Sequence, residues 1–302
     1  MKAARIRSFG SAISFDDLPI PVPAPGEVLL EVAATSFNPT EVALRSGVLA
    51  TLFPIALPFT LGWDVAGTVV ALGPDVDRFA LGDRVIGVLD GGAAAAYVAA
   101  PASRLVHAPV TVPLAHAAAI PLAGLTAWQT VFEHAKVVAG QRVLVNGAGG
   151  GVGGYAVQLA KHAGAHVIAT ASPRSHQAVL AQGADDIIDY TRTPVTEALT
   201  EPVDTILNIT GFPATVDIVP WVRPGGTIIS VSVPVTLPST VDIHAAHMVM
   251  RNDPNDLRHL VDLIDTGAVT DDITETHPLT ALPHIHHRAE TGDIRGKIIL
   301  HP

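Results

Sequence analysis

The chain has 302 residues, of which 48% are hydrophobic and 15% are charged, so it is long enough for two domains or one large α/β domain and is not expected to be disordered. Its formal net charge is −10 and it has no basic run, which excludes the positive footprint that a nucleic-acid partner requires. It contains no cysteine, which excludes disulfides, thiolate zinc sites and cysteine nucleophiles.

The first residues, MKAARIRSFG, carry charges but are not followed by an apolar stretch, so no signal peptide is predicted. The most hydrophobic stretches of the chain are broken by glycine, proline or a charge before they reach the roughly 18 residues that a membrane-spanning helix needs. The sequence therefore predicts a cytoplasmic protein that acts on a small molecule and has neither nucleic acid nor membrane as a partner.

Residues 1 to about 112 are predicted to form a β-rich, barrel-like unit. Strands are predicted at Val28–Ala33, Val65–Leu72 and Arg84–Val88. Glycine and proline recur at short intervals between them, as in the Gly82-Asp83 turn that precedes the third strand.

The pattern then changes to strands alternating with helices, which predicts a parallel sheet with right-handed crossovers. Helical character begins at Leu114–Ile120 and Leu125–Ala135, and further helices are predicted at Val152–Ala163 and Arg174–Gln182. The predicted strands are Arg142–Val145, His166–Thr170, Asp186–Ile188, Val203–Leu207 and Gly226–Val231.

The pattern changes again after about residue 245. An apolar strand is predicted at His247–Met250, a helix at Asn255–Thr266 and a terminal strand at Lys297–Leu300. A terminal strand that rejoins the first unit would make that unit discontinuous.

A glycine-rich stretch from Gly147 to Gly154 follows an apolar strand and opens a helix, a context typical of a dinucleotide-binding loop. In such a loop, glycine permits positive φ, and free N–H groups at the start of the helix bind the pyrophosphate. A flexible loop without a ligand is the alternative, disfavoured by the strands on both sides. Two frames fit the spacing: Gly149-x-Gly151-x-x-Gly154 and Gly147-x-x-Gly150-x-x-Gly153.

The end of the next strand decides which dinucleotide is expected. An NAD site carries Asp or Glu about 20 residues downstream of the glycines, where it binds the ribose 2′-hydroxyl. Here the chain has no carboxylate, and Ser172 and Arg174 offer a hydroxyl and a guanidinium. Arginine pairs with a 2′-phosphate, so the predicted cofactor is NADPH. The alternative is that Arg174 is a solvated residue in the first turn of a helix.

Several short segments occur, together with the glycine loop, in the order and spacing of a known family. Any one of them alone is weak evidence, whereas the ordered set is strong. On these segments nearly the whole chain resembles the zinc-free quinone-oxidoreductase (zeta-crystallin-like) branch of the medium-chain dehydrogenase/reductase superfamily. The segments are Ser36–Glu41, Leu61–Gly67, Gly82–Val85, Leu125–Trp128, Gly183–Asp185 and Arg295–Leu300.

The resemblance implies an α/β protein in which a β-rich, discontinuous GroES-like catalytic domain is split around a Rossmann domain with a doubly wound parallel sheet. The catalytic domain is then expected at residues 1–117 and 246–302, and the NADP-binding domain at 118–245, with the active site in the cleft between them. The implied reaction is hydride transfer from NADPH to a quinone or an activated enone. The resemblance also implies a homodimer, joined through the sheet edge near His247–Met250.

The resemblance also assigns the site residues. Asn38 and Thr126 are expected near the nicotinamide, where they take the catalytic roles. Tyr190 is expected near the adenosine 2′-phosphate, with a surface tyrosine as the open alternative. The other expected cofactor contacts are Gly147, Gly149, Gly150, Gly151, Val152, Gly153, Ser172, Arg174, Asn208, Thr210 and Val231.

No metal is expected. Gly62-Trp63-Asp64 stands where zinc-dependent relatives have a histidine next to a glutamate, and a catalytic zinc ion needs about three protein ligands. Trp63 cannot bind a metal, and Asp64 is a single carboxylate. Conjugated acceptors suit such a site because the charge that develops after hydride delivery spreads onto an enolate or quinol oxygen.

Ala43 and the run Ala94–Tyr97 depart from the family pattern, so the natural acceptor stays open. His284, His286 and His287 are expected at the surface or at a helix end, since adjacent side chains diverge and do not converge on a metal. Two alternatives to a quinone or enone reductase remain: an enoyl-thioester reductase of a biosynthetic pathway, and a non-catalytic dinucleotide-binding sensor or structural protein.

Overall fold

A computed structural model describes residues 1–210 and 215–302. The chain divides into two compact units. The first comprises Met1–Leu122, Asn252–Asp265 and Ile273–Pro302, and the second comprises Ala123–Arg251 and Thr266–Asp272. The first unit therefore continues past residue 117, and the second includes a short segment from the returning part of the chain.

The segment Met1–Leu122 consists mainly of short strands, and the three strands predicted there are confirmed within a few residues. Helix α1 (Thr40–Ser46) follows the strand Glu27–Ser36 and ends at Gly47, which has positive φ. The strands are β1 (Lys2–Ile6), β2 (Ser14–Asp17), β3 (Glu27–Ser36), β4 (Phe59–Thr60), β5 (Asp64–Leu72), β6 (Arg84–Val88), β7 (Tyr97–Pro101) and β8 (Leu105–His107).

From His116 onward, helices alternate with strands as predicted. A 3₁₀ turn at His116–Ala119 precedes the first of them. The elements that follow are α2 (Pro121–Trp128), a π-helix (Gln129–His134), β9 (Arg142–Asn146), α3 (Gly151–His162), β10 (His166–Thr170), α4 (His176–Ala181), β11 (Asp186–Ile188), α5 (Val195–Ala198), β12 (Val203–Asn208), a 3₁₀ helix (Thr215–Trp221), β13 (Val222–Ser230) and β14 (Ile243–His247).

One predicted element of this part is wrong, and one predicted helix is of mixed type. The helical character predicted at Leu125–Ala135 is confirmed, as α2 followed by the π-helix Gln129–His134, and within it the Thr130 hydroxyl donates to the Thr126 carbonyl oxygen. The observed strand β14 (Ile243–His247) lies before the predicted strand His247–Met250 and overlaps it only at His247. The residues that pair with β13 are those of Ile243–His247, although the residues after them are more apolar.

The rest of the chain returns to the first unit. It forms α6 (Pro254–Asp265), β15 (Ile273–Pro278), α7 (Leu282–Glu290) and β16 (Lys297–His301). β16 pairs in parallel with β15 and antiparallel with β3. The first unit is therefore discontinuous in sequence, as its terminal strand predicted.

The first unit holds a sheet of order β15-β16-β3-β5-β6-β8, with β7 also paired to β3, and a smaller sheet of order β2-β1-β4. In β3, β5, β6 and β16 runs of consecutive residues are buried, so both faces of these strands are covered, whereas in β7 burial alternates from residue to residue. Burial of each large aliphatic side chain contributes about 1.5–3 kcal/mol. The core includes Val28, Leu30, Val65, Val85 and Leu105.

The second unit holds an all-parallel sheet of order β11-β10-β9-β12-β13-β14. This is the doubly wound Rossmann order, in which the direction of strand succession reverses between β9 and β12 and ligands bind at the carboxyl ends of the strands there. The expected fold class is confirmed. Among the described residues, none of the helices combines the length and apolar character needed to cross a bilayer.

Candidate active site

The glycine loop joins β9 to α3 and leaves no space for side chains at two positions. Gly147 has a φ of +89°, and a Cβ atom there would lie 2.5 Å from Cγ2 of Thr210. A Cβ atom at Gly153 would lie 2.1 Å from the carbonyl oxygen of Gly147, whereas at Gly150 the nearest atom would be 3.8 Å away. The geometry favours the frame Gly147-x-x-Gly150-x-x-Gly153, whose glycines respectively make the turn, leave the backbone open to a ligand and pack the helix on the loop.

Gly149 and Gly154 of the loop pack against side chains that follow β10. A Cβ atom at Gly149 would lie 2.4 Å from Oγ of Ser175, and one at Gly154 would lie 2.7 Å from Nε2 of Gln182. Ser175 is buried and stands at the N-cap of α4. Sequence reasoning missed Ser175, although a serine just before a helical pattern is a recognisable signal.

The start of α3 presents bare backbone to the loop. Gly150 is the extended N-cap residue and has no side chain to cap the helix. The first backbone hydrogen bond of helical spacing runs from Gly154 N–H to Gly150 O at 2.9 Å. The N–H groups of Gly151, Val152 and Gly153 therefore precede any intrahelical acceptor, at the positive end of a 12-residue helix. This arrangement suits a phosphate group.

A row of hydrogen-bonded side chains, which we call the polar row, crosses the carboxyl ends of β10, β9, β12 and β13. Thr170 Oγ1 donates to Asn146 Oδ1 at 2.9 Å, and Asn146 Nδ2 donates to Asn208 Oδ1 at 2.8 Å. Asn208 Nδ2 then donates to Ser230 Oγ at 3.2 Å. The row meets the loop where Gly147 N–H donates to Thr170 Oγ1 at 2.8 Å.

Three of the expected cofactor residues belong to the polar row or touch it. Asn208 is a member, Thr210 Oγ1 accepts from Asn146 Nδ2 at 3.2 Å, and Val231 N–H donates to Asn208 O at 3.1 Å. Val231 lies just outside β13, which ends one residue earlier than predicted. The members that sequence reasoning missed each end an apolar strand with a polar side chain, a signal that was readable: Asn146, Thr170 and Ser230.

The segment after β10 carries the residues expected to select the cofactor. Ser172 is partly buried and Arg174 is exposed. Arg174 lies in a turn before α4, and the helix begins at His176 instead of at the predicted Arg174. Tyr190 lies after β11 and its side chain is exposed. Thr126, the expected catalytic residue of this unit, is nearly buried on α2, where its carbonyl oxygen accepts from Thr130 Oγ1 at 2.6 Å.

In the first unit, Asn38 follows β3 and its amide is held at both ends. Nδ2 donates to Asp64 Oδ2 at 2.8 Å and to Ser36 O at 3.3 Å. Oδ1 accepts from Lys297 Nζ at 2.8 Å. The side chain is buried, so an ion pair fixes the orientation of the expected catalytic amide.

Asp64 is the centre of this network, and its side chain is fully buried. Its Oδ2 also accepts from the Ser36 hydroxyl and lies 3.4 Å from Lys297 Nζ. Its Oδ1 accepts at 2.8 Å from the N–H of Leu122, in the first turn of α2. One carboxylate therefore holds the Asn38 amide and the start of a helix.

Glu41 adds a second buried carboxyl group to this network. Its Oε2 accepts from Gly62 N–H at 3.2 Å. Burial, together with the nearby negative charge of Asp64, raises the pKa of the Glu41 carboxyl to about 8. Burial lowers the pKa of Lys297. Sequence reasoning included Glu41 and Lys297 only as parts of family motifs, because nothing local shows that they meet.

The histidine cluster near the end of the chain is only partly at the surface. His284 and His287 are exposed on α7, as expected. His286 is buried with its ring 5.3 Å from that of Phe37, and burial lowers its pKa to about 4. The surface expectation was wrong for His286 because α7 turns that side chain, with Leu282 and Ile285, into the core.

Two family descriptions match the sequence. "Alcohol dehydrogenase GroES-like domain" matches residues 24–110, and "Zinc-binding dehydrogenase" matches residues 182–300.

The residues present do not fit a catalytic zinc ion. Both oxygens of Asp64 already accept hydrogen bonds, Trp63 has no donor atom for a metal, and the chain has no cysteine. Within residues 1–210 and 215–302, no three His, Asp or Glu side chains are grouped so that they could hold a metal ion.

The chain is 33% identical to the chloroplast envelope quinone oxidoreductase homolog of Arabidopsis thaliana, over all of this chain and 98% of that protein. It is 30% identical to the human mitochondrial NAD(P)H oxidoreductase, over 91% of this chain and 82% of that protein. A stretch of 162 residues, 53% of this chain, is 44% identical to 4% of an erythronolide synthase of Saccharopolyspora erythraea.

Among solved structures, the quinone oxidoreductase of Coxiella burnetii superimposes with a TM-score of 0.90 at 30% identity, over 100% of this chain and 99% of that one. Sequence, strand order and the full-length likeness agree. The chain belongs to the quinone-oxidoreductase branch of the medium-chain dehydrogenase/reductase superfamily, a family of oxidoreductases whose cofactor is a nicotinamide dinucleotide.

Proposed function

We propose that the protein is an NADPH-dependent reductase that delivers hydride to a quinone or an activated enone without a metal. The observation that carries the cofactor assignment is the segment after β10, which has Ser172 and an exposed Arg174 and no carboxylate. The names of the quinone oxidoreductase relatives support the acceptor class.

The residues that would hold the cofactor are those of the glycine loop and its surroundings. The N–H groups of Gly151, Val152 and Gly153 would bind the pyrophosphate, and Gly150 would leave the backbone open to it. We also propose that Gly147 and Gly149 keep the turn open, and that Asn208, Thr210 and Val231 line the cofactor through the polar row. Tyr190 and Ser172 would flank the adenosine 2′-phosphate.

When bound, NADPH supplies the hydride. Thr126 and Asn38 are proposed to lie near the nicotinamide, and the network around Asp64 fixes the Asn38 amide in one orientation. Correct positioning of donor and acceptor is worth several kcal/mol of the barrier. Charge that develops on a quinol or enolate oxygen is delocalised, and a water molecule or a hydroxyl completes the reaction by donating a proton.

The test of the cofactor assignment is titration of NADPH and NADH into the wild type and Arg174→Glu. We expect the wild type to prefer NADPH, and the charge reversal to weaken NADPH binding at least tenfold, equivalent to about 1.4 kcal/mol, while leaving NADH binding nearly unchanged. Arg258→Glu, on an exposed part of α6, is the matched charge control. Equal affinities of the wild type for the two nucleotides would overturn the assignment.

A second candidate is an enoyl-thioester reductase. It is favoured by the match to the erythronolide synthase, whose identity of 44% over 162 residues exceeds that of the full-length relatives. Both candidates deliver hydride to an acceptor that is conjugated with a carbonyl group, as in a quinone, an enone or an enoyl thioester. Turnover rates on a panel of these three acceptor classes therefore distinguish the two candidates. Thioester turnover far above that of ketones and quinones would support the second candidate, and no oxidation of NADPH with any acceptor would support a non-catalytic sensor or structural protein.

We also propose a homodimer that pairs through β14, the outermost strand of the parallel sheet. An exposed parallel edge strand offers unpaired backbone groups to a second copy. Light scattering tests this proposal, and a monomer at all concentrations would remove it. Cytoplasmic location stays a prediction, to be tested by fractionation, since the relatives named above are chloroplast and mitochondrial proteins.

A further inference from the structure

Two buried carboxyl groups and one buried ammonium group meet in the first unit. Asp64 and Glu41 are at most 2% exposed and Lys297 is 4% exposed. Asp64 and Lys297 both act electrostatically on Glu41. Because an uncompensated charge inside a protein is strongly unfavourable, two carboxylates facing one ammonium leave a negative charge that a single proton neutralises.

The hydrogen bonds indicate which carboxyl group holds this proton. Asp64 is surrounded by hydrogen-bond donors, which include two N–H groups and an ammonium group. A carboxylate can accept from all of them, whereas a protonated carboxyl group would direct its own O–H at one of these donors. Glu41 accepts the backbone N–H of Gly62 through Oε2, and the backbone N–H of Asn38 also acts on the carboxyl group, but among the described residues its buried Oε1 has no hydrogen-bond partner of normal geometry. An unpartnered neutral group is less unfavourable than an unpartnered charge, so the proton belongs on Glu41.

The position of the proton matters because Lys297 has three N–H groups and uses all of them. They reach Phe37 O at 3.2 Å, Asn38 Oδ1 at 2.8 Å and Asp64 Oδ2 at 3.4 Å. A second carboxylate at Glu41 would attract the ammonium away from Asn38 and repel Asp64. The two groups that Asp64 holds, the Asn38 amide and the first turn of α2, would then be held less firmly.

We propose that Glu41 is a positioning residue that works in its protonated form, and that loss of its proton releases the Asn38 amide and lowers turnover. This inference rests on the proposed function, in which Asn38 lies near the nicotinamide. The charged groups that face Glu41 are Asp64 on β5 and Lys297 on β16. His286, on the neighbouring α7, is neutral above about pH 4.

The first experiment asks whether Glu41 holds a proton, and it does not require activity. Difference infrared spectra of the wild type and Glu41→Gln are recorded at neutral pH in H₂O and D₂O. We expect a carbonyl band of a protonated carboxyl group in the wild type that shifts in D₂O, disappears in Glu41→Gln and is lost from the wild type as the pH rises above about 8. A wild-type spectrum at pH 7 without this band overturns the proposal.

The second experiment measures kcat/KM with NADPH and a quinone between pH 6 and about pH 10. The wild-type value is expected to fall roughly tenfold per pH unit above the ionisation of Glu41, and Glu41→Gln to lack this decline. Glu31→Gln, which removes an exposed carboxylate of β3, is the control and is expected to keep it. Thermal unfolding of each variant at each pH separates the decline from loss of the fold.

The outcomes separate the two proposals. An alkaline decline that persists in Glu41→Gln, with the infrared band assigned to Glu41, overturns the positioning role while turnover itself supports the proposed function. The infrared band without turnover on any acceptor overturns the proposed function, and the positioning role with it, but leaves the proton on Glu41 established.

Discussion

The Glu41 side chain is buried beside Asp64, and its pKa is raised to about 8 from an ordinary value of 4.5. Between these two pH values the folded chain binds one proton more than the unfolded chain does. The free energy of unfolding therefore falls as the pH rises through this window, by at most about 1.4 kcal/mol per pH unit for one proton. The loss is complete above about pH 8.

Glu41→Gln is expected to remove this part of the pH dependence. Because the amide cannot ionise, the stability of the variant relative to the wild type is expected to increase from pH 5 to pH 8. Urea unfolding at several pH values measures the difference. Parallel stability curves for the two proteins would contradict the raised pKa.

Two glycines of the loop are expected to respond differently to the same added methyl group. Gly153→Ala places a Cβ atom against the backbone of Gly147, so we expect it to lower the free energy of unfolding by about 1–3 kcal/mol. Gly150→Ala meets almost nothing, so we expect a loss below about 1 kcal/mol, arising from the weaker helix cap, together with weaker NADPH binding. Urea unfolding and NADPH titration on both variants test this, and equal stability of the two variants would contradict the assigned frame.

At the scale of elements, the polar row joins the ends of β10, β9, β12 and β13 by side chains as well as by backbone pairing. In each of these strands an apolar residue immediately precedes the polar residue at the carboxyl end, where the loops begin. Buried polar groups are favourable only when they are paired, so the row fixes the relative register of the four strand ends.

Asn208→Ala is expected to break the row at its centre. It removes the shorter bond of Asn146 Nδ2, which keeps only its 3.2 Å bond to Thr210 Oγ1, and it removes the donor to Ser230 Oγ. The loss of these two buried hydrogen bonds is expected to lower the free energy of unfolding by about 1–3 kcal/mol. The urea midpoint is expected to fall with an unchanged m-value, and Thr200→Ala, at an exposed position, serves as the control. A midpoint equal to that of the control would show that the row contributes nothing to stability.

At the scale of the whole molecule, the first unit is assembled from three separate segments of the chain. β16 lies between β15 and β3, and four of its five residues are buried. It also carries Lys297, the cation of the buried network. The first unit thus depends on its last strand for both its core and its charge balance.

Deletion of residues 296–302 is therefore expected to unfold the first unit. Limited proteolysis with mass spectrometry is expected to show new cleavage sites within Met1–Leu122, because β3 loses its neighbour and buried side chains are exposed. A chain that lacks only Pro302 is the control. Resistance of Met1–Leu122 equal to that of the control would show that the unit is complete without β16.

The predictable part of the fold consists of elements whose signals are local. β6, β9 and β10 were predicted within one residue of their bounds, because each is a short apolar run between turn residues. β14 was displaced, because its pairing with β13 outweighs the apolar residues after it. The glycine loop was predicted, but its frame followed only from the contacts of Gly147 and Gly153.

The sequence by itself determined the alternation of strands and helices, the glycine loop, the absence of a carboxylate after β10 and the lack of cysteine. These are local patterns or plain composition, which need no knowledge of what lies nearby in space. Only the tertiary structure decided that Lys297 meets Asp64, 233 positions away, and that Glu41 lies beside both. Burial and the proximity of charges set the protonation of such groups, and both are properties of the packed chain, so no stretch of sequence contains them.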